Sequence, residues 1–156
     1  FLYLVEQIKA GAEIVKLFDS WAGSLSGAAC DRDSIAPHVK IVTALKSQFP
    51  DIKFIGFPRG AGEKYLDFVQ QVAPDCIALD TETDAAWAVE HLQSKTCVQG
   101  NLDPSLLVTG GERLIAETKR VVDAFKAGPH IFNLGHGITP DAPPENVSKM
   151  IEAIRG

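Results

Sequence analysis

Five short apolar runs, rich in β-branched residues, each stop at a polar or glycine-rich turn, and that punctuation narrows what this chain can fold into. The runs are Ile14–Phe18 before Asp19-Ser20, Ile52–Phe57 before Pro58-Arg59-Gly60, Ile77–Leu79 before Asp80-Thr81, Cys97–Gln99 before Gly100-Asn101, and Ile131–Leu134 before Gly135-His136-Gly137. Amphipathic stretches lie between most of them. Short buried strands alternating with helices require a parallel sheet with helical crossovers, and such sheets collect their chemistry at the strand C-termini. Helical spacing predicts a helix from about Ser34 to Phe49 with Ile35, Val39, Val42 and Leu45 on its stripe, and another carrying Tyr65, Phe68, Val69 and Val72. Gly111 to Ala127 reads as a helix stopped by Gly128-Pro129, and a closing helix from Pro144 is expected to bury Val147, Met150, Ile151 and Ile154.

Five sequential parallel strands suit an open doubly wound sheet or most of a (β/α)8 barrel. Phe1, Leu4, Val5 and Ile8 already follow helical spacing with no capping residue ahead of them, so the chain is expected to start inside a helix, with an N-terminal portion missing. With a barrel typically about 250 residues long, residues 1–156 are then expected to be the C-terminal part of one barrel domain, about its last five β/α units.

Composition narrows the partners. The chain is 46% hydrophobic and 22% charged, enough for one substantial core. Its net charge of −5, with no cluster of Lys and Arg, argues against a nucleic-acid partner. Cys30, Cys76 and Cys97 are odd in number and form no CxxC pair, which argues against a disulfide framework or a zinc ribbon and fits a reducing compartment. No apolar run approaches the roughly 20 residues that span a bilayer, and no signal-peptide pattern opens the chain.

Several strand-end residues carry chemistry, each with a structural alternative. His136, between two glycines, can donate a proton or bind a carboxylate, or serve only its own turn. Ser20 can bond a ligand or cap a turn, and no G-x-S-x-G surrounds it to mark a nucleophile. Arg59 can clamp a carboxylate or remain a solvated surface cation, and its glycines match neither phosphate-loop spacing. Asp80 is either a buried carboxylate or the cap of the next helix. Gln99-Gly100-Asn101-Leu102-Asp103-Pro104 reads first as a βα turn.

Taken together, Leu17-Phe18-Asp19-Ser20-Trp21-Ala22-Gly23, Gln99-Gly100-Asn101-Leu102-Asp103-Pro104 and Asn133-Leu134-Gly135-His136-Gly137-Ile138 resemble, in order and separation, the C-terminal half of the uroporphyrinogen decarboxylase family. The resemblance covers nearly the whole chain. It implies a cytosolic, usually homodimeric (β/α)8 barrel that decarboxylates the four acetate side chains of uroporphyrinogen III to give coproporphyrinogen III, without metal or cofactor. It further implies that Ser20 and His136 contact the substrate through its carboxylates, with His136 catalytic. Arg59 occupies a basic position of the family, often lysine. The family's substrate-binding arginines, pyrrole-binding aspartate and active-site tyrosine belong to the N-terminal half, so these residues alone are expected to be inactive.

Two alternatives stand beside it. A zinc-dependent corrinoid or thiol methyltransferase of the same superfamily would need a His-x-Cys pair and a distant Cys at strand ends, whereas Cys76 and Cys97 fall at strand starts and Cys30 in a loop. A non-catalytic tetrapyrrole-binding homologue would keep the fold without the chemistry.

Overall fold

A computed structural model describes residues 1–156, which divide into two compact units, Phe1–Ala78 and Leu79–Gly156. The first unit runs α1 (Leu2–Lys9), β1 (Ile14–Asp19), a 3-10 turn (Ala22–Ser24), α2 (Ala28–Cys30), a π turn (Asp31–Ile35), α3 (Ala36–Gln48), β2 (Lys53–Pro58), α4 (Lys64–Val72) and β3 (Cys76–Ala78). Its strands are parallel, with Lys16 opposite Ile55 and Phe18 opposite Phe57 between β1 and β2, and Ile55 opposite Cys76 between β2 and β3. Sequence neighbours pair directly, each joined to the next by a helical crossover.

Two faces follow from the strand period. Phe68 of α4 lies so close over Gly56 that a Cβ there would stand 2.6 Å from its ring, so Phe54 and Gly56 face the helices. Val15 and Leu17 pair with them in register and share that face. Lys16, Phe18, Ile55 and Phe57 therefore occupy the other, and the Phe18 and Phe57 rings meet edge to face at 5.9 Å.

The helix expected from about Ser34 starts earlier, at Ala28, and reaches α3 through the π turn. Pro37 explains the detour: it lacks an N–H and its ring crowds the preceding turn, and a widened turn just before it relieves both conflicts. This register also buries His38, which the apolar stripe omits. Its Nδ1–H donates to Ser34 O at 2.8 Å, its ring meets Phe68, and its Nε2 is buried without a partner. Cys30 closes α2 rather than lying in a loop.

The second unit runs α5 (Ala85–Ala88), a π turn (Val89–Gln93), β4 (Cys97–Leu102), α6 (Ser105–Thr109), α7 (Gly111–Phe125), β5 (His130–Leu134) and α8 (Pro144–Arg155). β4 and β5 are parallel, Val98 opposite His130 through Leu102 opposite Leu134. Helical spacing predicts Leu114, Thr118, Val121, Val122 and Phe125 on one face of α7, and all but the half-buried Val122 are buried. β4 extends three residues past the expected Gln99, because Gly100, at φ +136, passes so close to Leu79 that a Cβ would sit 2.9 Å from its carbonyl oxygen. His130 stacks on Phe125 at 4.6 Å, and its Nε2–H donates to Gly100 O at 2.7 Å.

One packing expectation fails. α8 has no buried residue: Val147, Met150 and Ile154 are half-covered and Ile151 is exposed. The helix packs along α6 and α7, which cover part of its apolar stripe.

Burial pushes both His38 and His130 below the ordinary imidazole value of 6.5, against the opposing pull of their carbonyl hydrogen bonds. Unfolding therefore takes up protons below that value, and the stability carried by the neutral rings is lost as pH falls through it. An NMR titration of the natural gene product carrying these residues should place both imidazoles below 6.5; either one titrating at or above it contradicts this packing.

Candidate active site

The turn after β1 is held by its own aspartate. Asp19 accepts from the Ser34 hydroxyl at 2.6 Å through Oδ2 and from the Trp21 N–H at 3.3 Å through Oδ1, while its backbone oxygen accepts from Arg59 N at 3.0 Å. One residue thus ties the end of β1 to the π turn and to the end of β2. Ser20, next along, is exposed.

The loops after β1 and β2 touch through backbone. Gly23 N donates to Arg59 O at 2.9 Å, and a Cβ on Gly23 would stand 2.7 Å from Gly60 O. Only glycine fits that approach, so Ser20 and Arg59 are carried on adjoining turns of one rim. Neither the Ser20 hydroxyl nor the Arg59 guanidinium enters a hydrogen bond or ion pair within the chain, which leaves both open to an anion.

The second unit builds its own strand-end rim. Asp80 is buried, and its Oδ1 accepts from Glu82 N and the Thr83 hydroxyl, closing a tight turn. It does not cap α5; Asp84 does, accepting from Trp87 N at 2.8 Å. Asn101, buried at the end of β4, donates through Nδ2 to Asp80 O at 2.9 Å and Thr83 O at 2.8 Å. The sequence marks Asn101 as a turn amide, and its place as the pin between two strand ends appears only in three dimensions.

His136 follows β5 and is exposed. Gly135 before it is buried, donates to Leu102 O at 2.8 Å, and has Thr81 against its Cα, where any Cβ would collide with the Thr81 N and hydroxyl. Gly137 has open space around it. Of the two flanking glycines, the first is required by packing and fixes where the imidazole begins. A cavity of about 270 Å³, lined by Thr81, Thr83, Asn101, Asp103 and Arg120 among others, opens beside these turns without including His136.

The thiols stand elsewhere. Cys76 opens β3 and Cys97 opens β4, at the ends of those strands remote from the turns. Cys30 is buried, and burial pushes its thiol up, away from the thiolate that a zinc site or a nucleophile needs.

Comparison with known proteins decides the family. Residues 1–156 match the family described as Uroporphyrinogen decarboxylase (URO-D) over their whole length. The chain belongs to the uroporphyrinogen decarboxylase family. It is 61% identical over 153 residues to the uroporphyrinogen decarboxylase of Jannaschia sp. (strain CCS1), covering 98% of this chain, and 58% identical over 154 residues to that of Paracoccus denitrificans (strain Pd 1222), covering 99%. The chain spans 45% of the length of each of these curated relatives.

Among solved structures, a methyltransferase from Methanosarcina mazei superposes with a TM-score of 0.77 at 18% identity, over 99% of this chain and 45% of the other. A phosphoribosyl anthranilate isomerase from Thermococcus kodakaraensis superposes at 0.53 with 15% identity, over 99% of this chain and 69% of the other. At these identities the likeness is one of fold. The uroporphyrinogen decarboxylase family is a (β/α)8 barrel, and this chain is part of one, as the resemblance leads one to expect; strand punctuation alone leaves an open sheet equally possible.

The Asp19 link is testable in the natural gene product. Asp19→Ala leaves the buried Ser34 hydroxyl unpaired and should cost about 1–3 kcal/mol, whereas Asp19→Asn keeps an acceptor and should cost less. Chemical denaturation measures both; an Asp19→Ala protein as stable as the parent contradicts the link.

Proposed function

We propose that this chain works as part of an enzyme that converts uroporphyrinogen III to coproporphyrinogen III by removing CO2 from four acetate side chains. The observation that carries the proposal is that Ser20, Arg59 and His136 stand on strand-end turns, with Gly23 packed on Gly60 and Gly135 on Thr81 too closely for any side chain, in a member of this family. Their side chains are exposed at the end of the strands where barrel enzymes do their chemistry.

The substrate supplies its own electron sink. Protonating an electron-rich pyrrole lets the carbon–carboxylate bond break, its electron pair flowing into the cationic ring as CO2 leaves. A second proton converts the resulting methylene to methyl, and loss of the proton first placed on the ring restores the aromatic pyrrole, so each acetate consumes one proton net and releases one CO2. The protein's part is to hold a flexible polyanion and to place acids and cations around it. Ser20 and Arg59 bind substrate carboxylates in this reading. His136 binds a carboxylate and acts in proton transfer.

The reaction in this reading uses no metal or cofactor and takes place in the cytoplasm, in a homodimer that engages neither nucleic acid nor membrane. No helix is long and apolar enough to cross a membrane. Because the chain spans 45% of its relatives' length, the 156 residues by themselves are expected to form no coproporphyrinogen. Retention of Ser20 and His136 supports a working site over a non-catalytic homologue.

The test is His136→Asn in the natural gene product. Turnover should fall by about 100-fold or more, the scale of general acid–base catalysis, with partly decarboxylated intermediates accumulating on chromatography. Ser20→Ala should chiefly raise KM. Unchanged rate and product distribution in the His136 variant would overturn its role.

A further inference from the structure

A buried imidazole stands behind the turn that carries Ser20. His38 of α3 is 4% exposed, and its Nδ1–H donates to Ser34 O at 2.8 Å. Ser34, 1% exposed, passes the contact on through its hydroxyl, which donates to Asp19 Oδ2 at 2.6 Å. Asp19 in turn accepts from Trp21 N in the turn after β1 and from Arg59 N in the turn after β2. The ring therefore reaches the Ser20 turn through two residues, first by holding a backbone oxygen and then by a hydroxyl that holds a carboxylate.

Its other nitrogen sets this histidine apart. Nε2 is buried with no hydrogen-bond partner, and the ring meets Phe68 edge to face at 4.8 Å. Residues of this unit already seal the atom, so chain packed outside them adds cover and no partner. A bare lone pair survives such a place at modest cost, whereas a charged N–H without an acceptor does not. A phenyl ring would fill the same space, but it would neither hold Ser34 O nor respond to pH.

Asp19 is the charged group that acts on the ring and favours the imidazolium, and burial outweighs it. On α4, Tyr65 and Phe68 are buried, while Lys64 is committed to Asp67 at 2.8 Å and to Asp31 of the π turn at 3.4 Å. Asp33 pairs with Arg32, and Cys30 stays a neutral thiol because burial pushes it up. An imidazolium in this setting must swing out to water or turn towards Asp19. Either move takes Nδ1 from Ser34 O and slackens the bond between Ser34 and Asp19. That opening takes up a proton, so it is favoured by up to about tenfold per pH unit as pH falls below the ordinary imidazole value of 6.5.

We propose that His38 is a pH-sensitive positioning residue: its neutral ring holds Ser34 against Asp19 and so sets the turn that carries Ser20, and its protonation releases that tie. The proposal rests on the decarboxylase reading above only for what the turn binds. Asp19 keeps its bonds to Trp21 and Arg59 in the released form, so the turn loosens without detaching.

Three forms of the natural gene product test it: the parent, His38→Asn and His38→Phe. Asparagine keeps an N–H for Ser34 O and does not titrate; phenylalanine keeps the ring and loses both properties. Hydrogen–deuterium exchange of the peptide Asp19–Ser24, corrected for the intrinsic rate, needs no substrate. Between about pH 7.5 and about pH 5.5 the parent should lose protection there about fivefold more than either variant does. KM for uroporphyrinogen III should rise over the same range about threefold more in the parent, with kcat changing alike in all forms. A histidine that only packs would offset the variants by one factor at every pH. Exchange profiles of equal steepness in parent and variant therefore overturn the proposal, and the phenylalanine form decides if the asparagine one does not fold. A steeper exchange profile in a parent that forms no coproporphyrinogen supports the His38 tie and removes the decarboxylase reading.

Discussion

Backbone against backbone, at glycine, is the contact on which the chemistry-bearing turns depend. Gly23 lies on Gly60, Gly100 on Leu79, and Gly135 on Thr81, and in each case a Cβ would meet a main-chain atom of a neighbouring segment. A backbone contact cannot yield by turning a rotamer, so the segments must separate or the glycine must stay. Within the first unit this fixes the loop bearing Ser20 against the loop bearing Arg59. Within the second it sets the start of His136.

Side chains then complete what the glycines begin. Asp19 and Asn101 stand at the ends of different strands and work in opposite senses: a carboxylate that gathers donors from a turn and a helix, and an amide that donates to two carbonyls of the preceding turn. Both are held by several bonds at once, which rigidifies them while the neighbouring functional side chains remain uncommitted. At Asp19 one residue fastens the turn and the next, Ser20, faces outward, which suits a binding group that must be in place before the ligand arrives.

Much of this is legible in the sequence. Apolar runs and their turns locate all five strands to within a few residues, since both signals are local, and the α7 stripe falls where its 3.6-residue period puts it. The strand-end address of Ser20, Arg59 and His136 follows from the same punctuation. What escapes is non-local. The π turn before Pro37 answers a conflict between a proline and a helix already under way, and it turns His38 into the core. The continuation of β4 through Gly100 depends on Leu79, some twenty residues earlier in the chain. For α8, spacing reports an apolar stripe correctly, but burial depends on how much surface the neighbours present.

The central claim is that carboxylates of a tetrapyrrole are gripped at the C-terminal ends of these strands. A crystal structure of the natural gene product with bound uroporphyrin tests it most directly. The account predicts ligand carboxylates within hydrogen-bonding distance of Ser20 Oγ and of the His136 imidazole. A ligand seated instead at the opposite end of the strands, in the cavity of about 460 Å³ between Ile8, Glu13, Phe49 and Ile52, would contradict it.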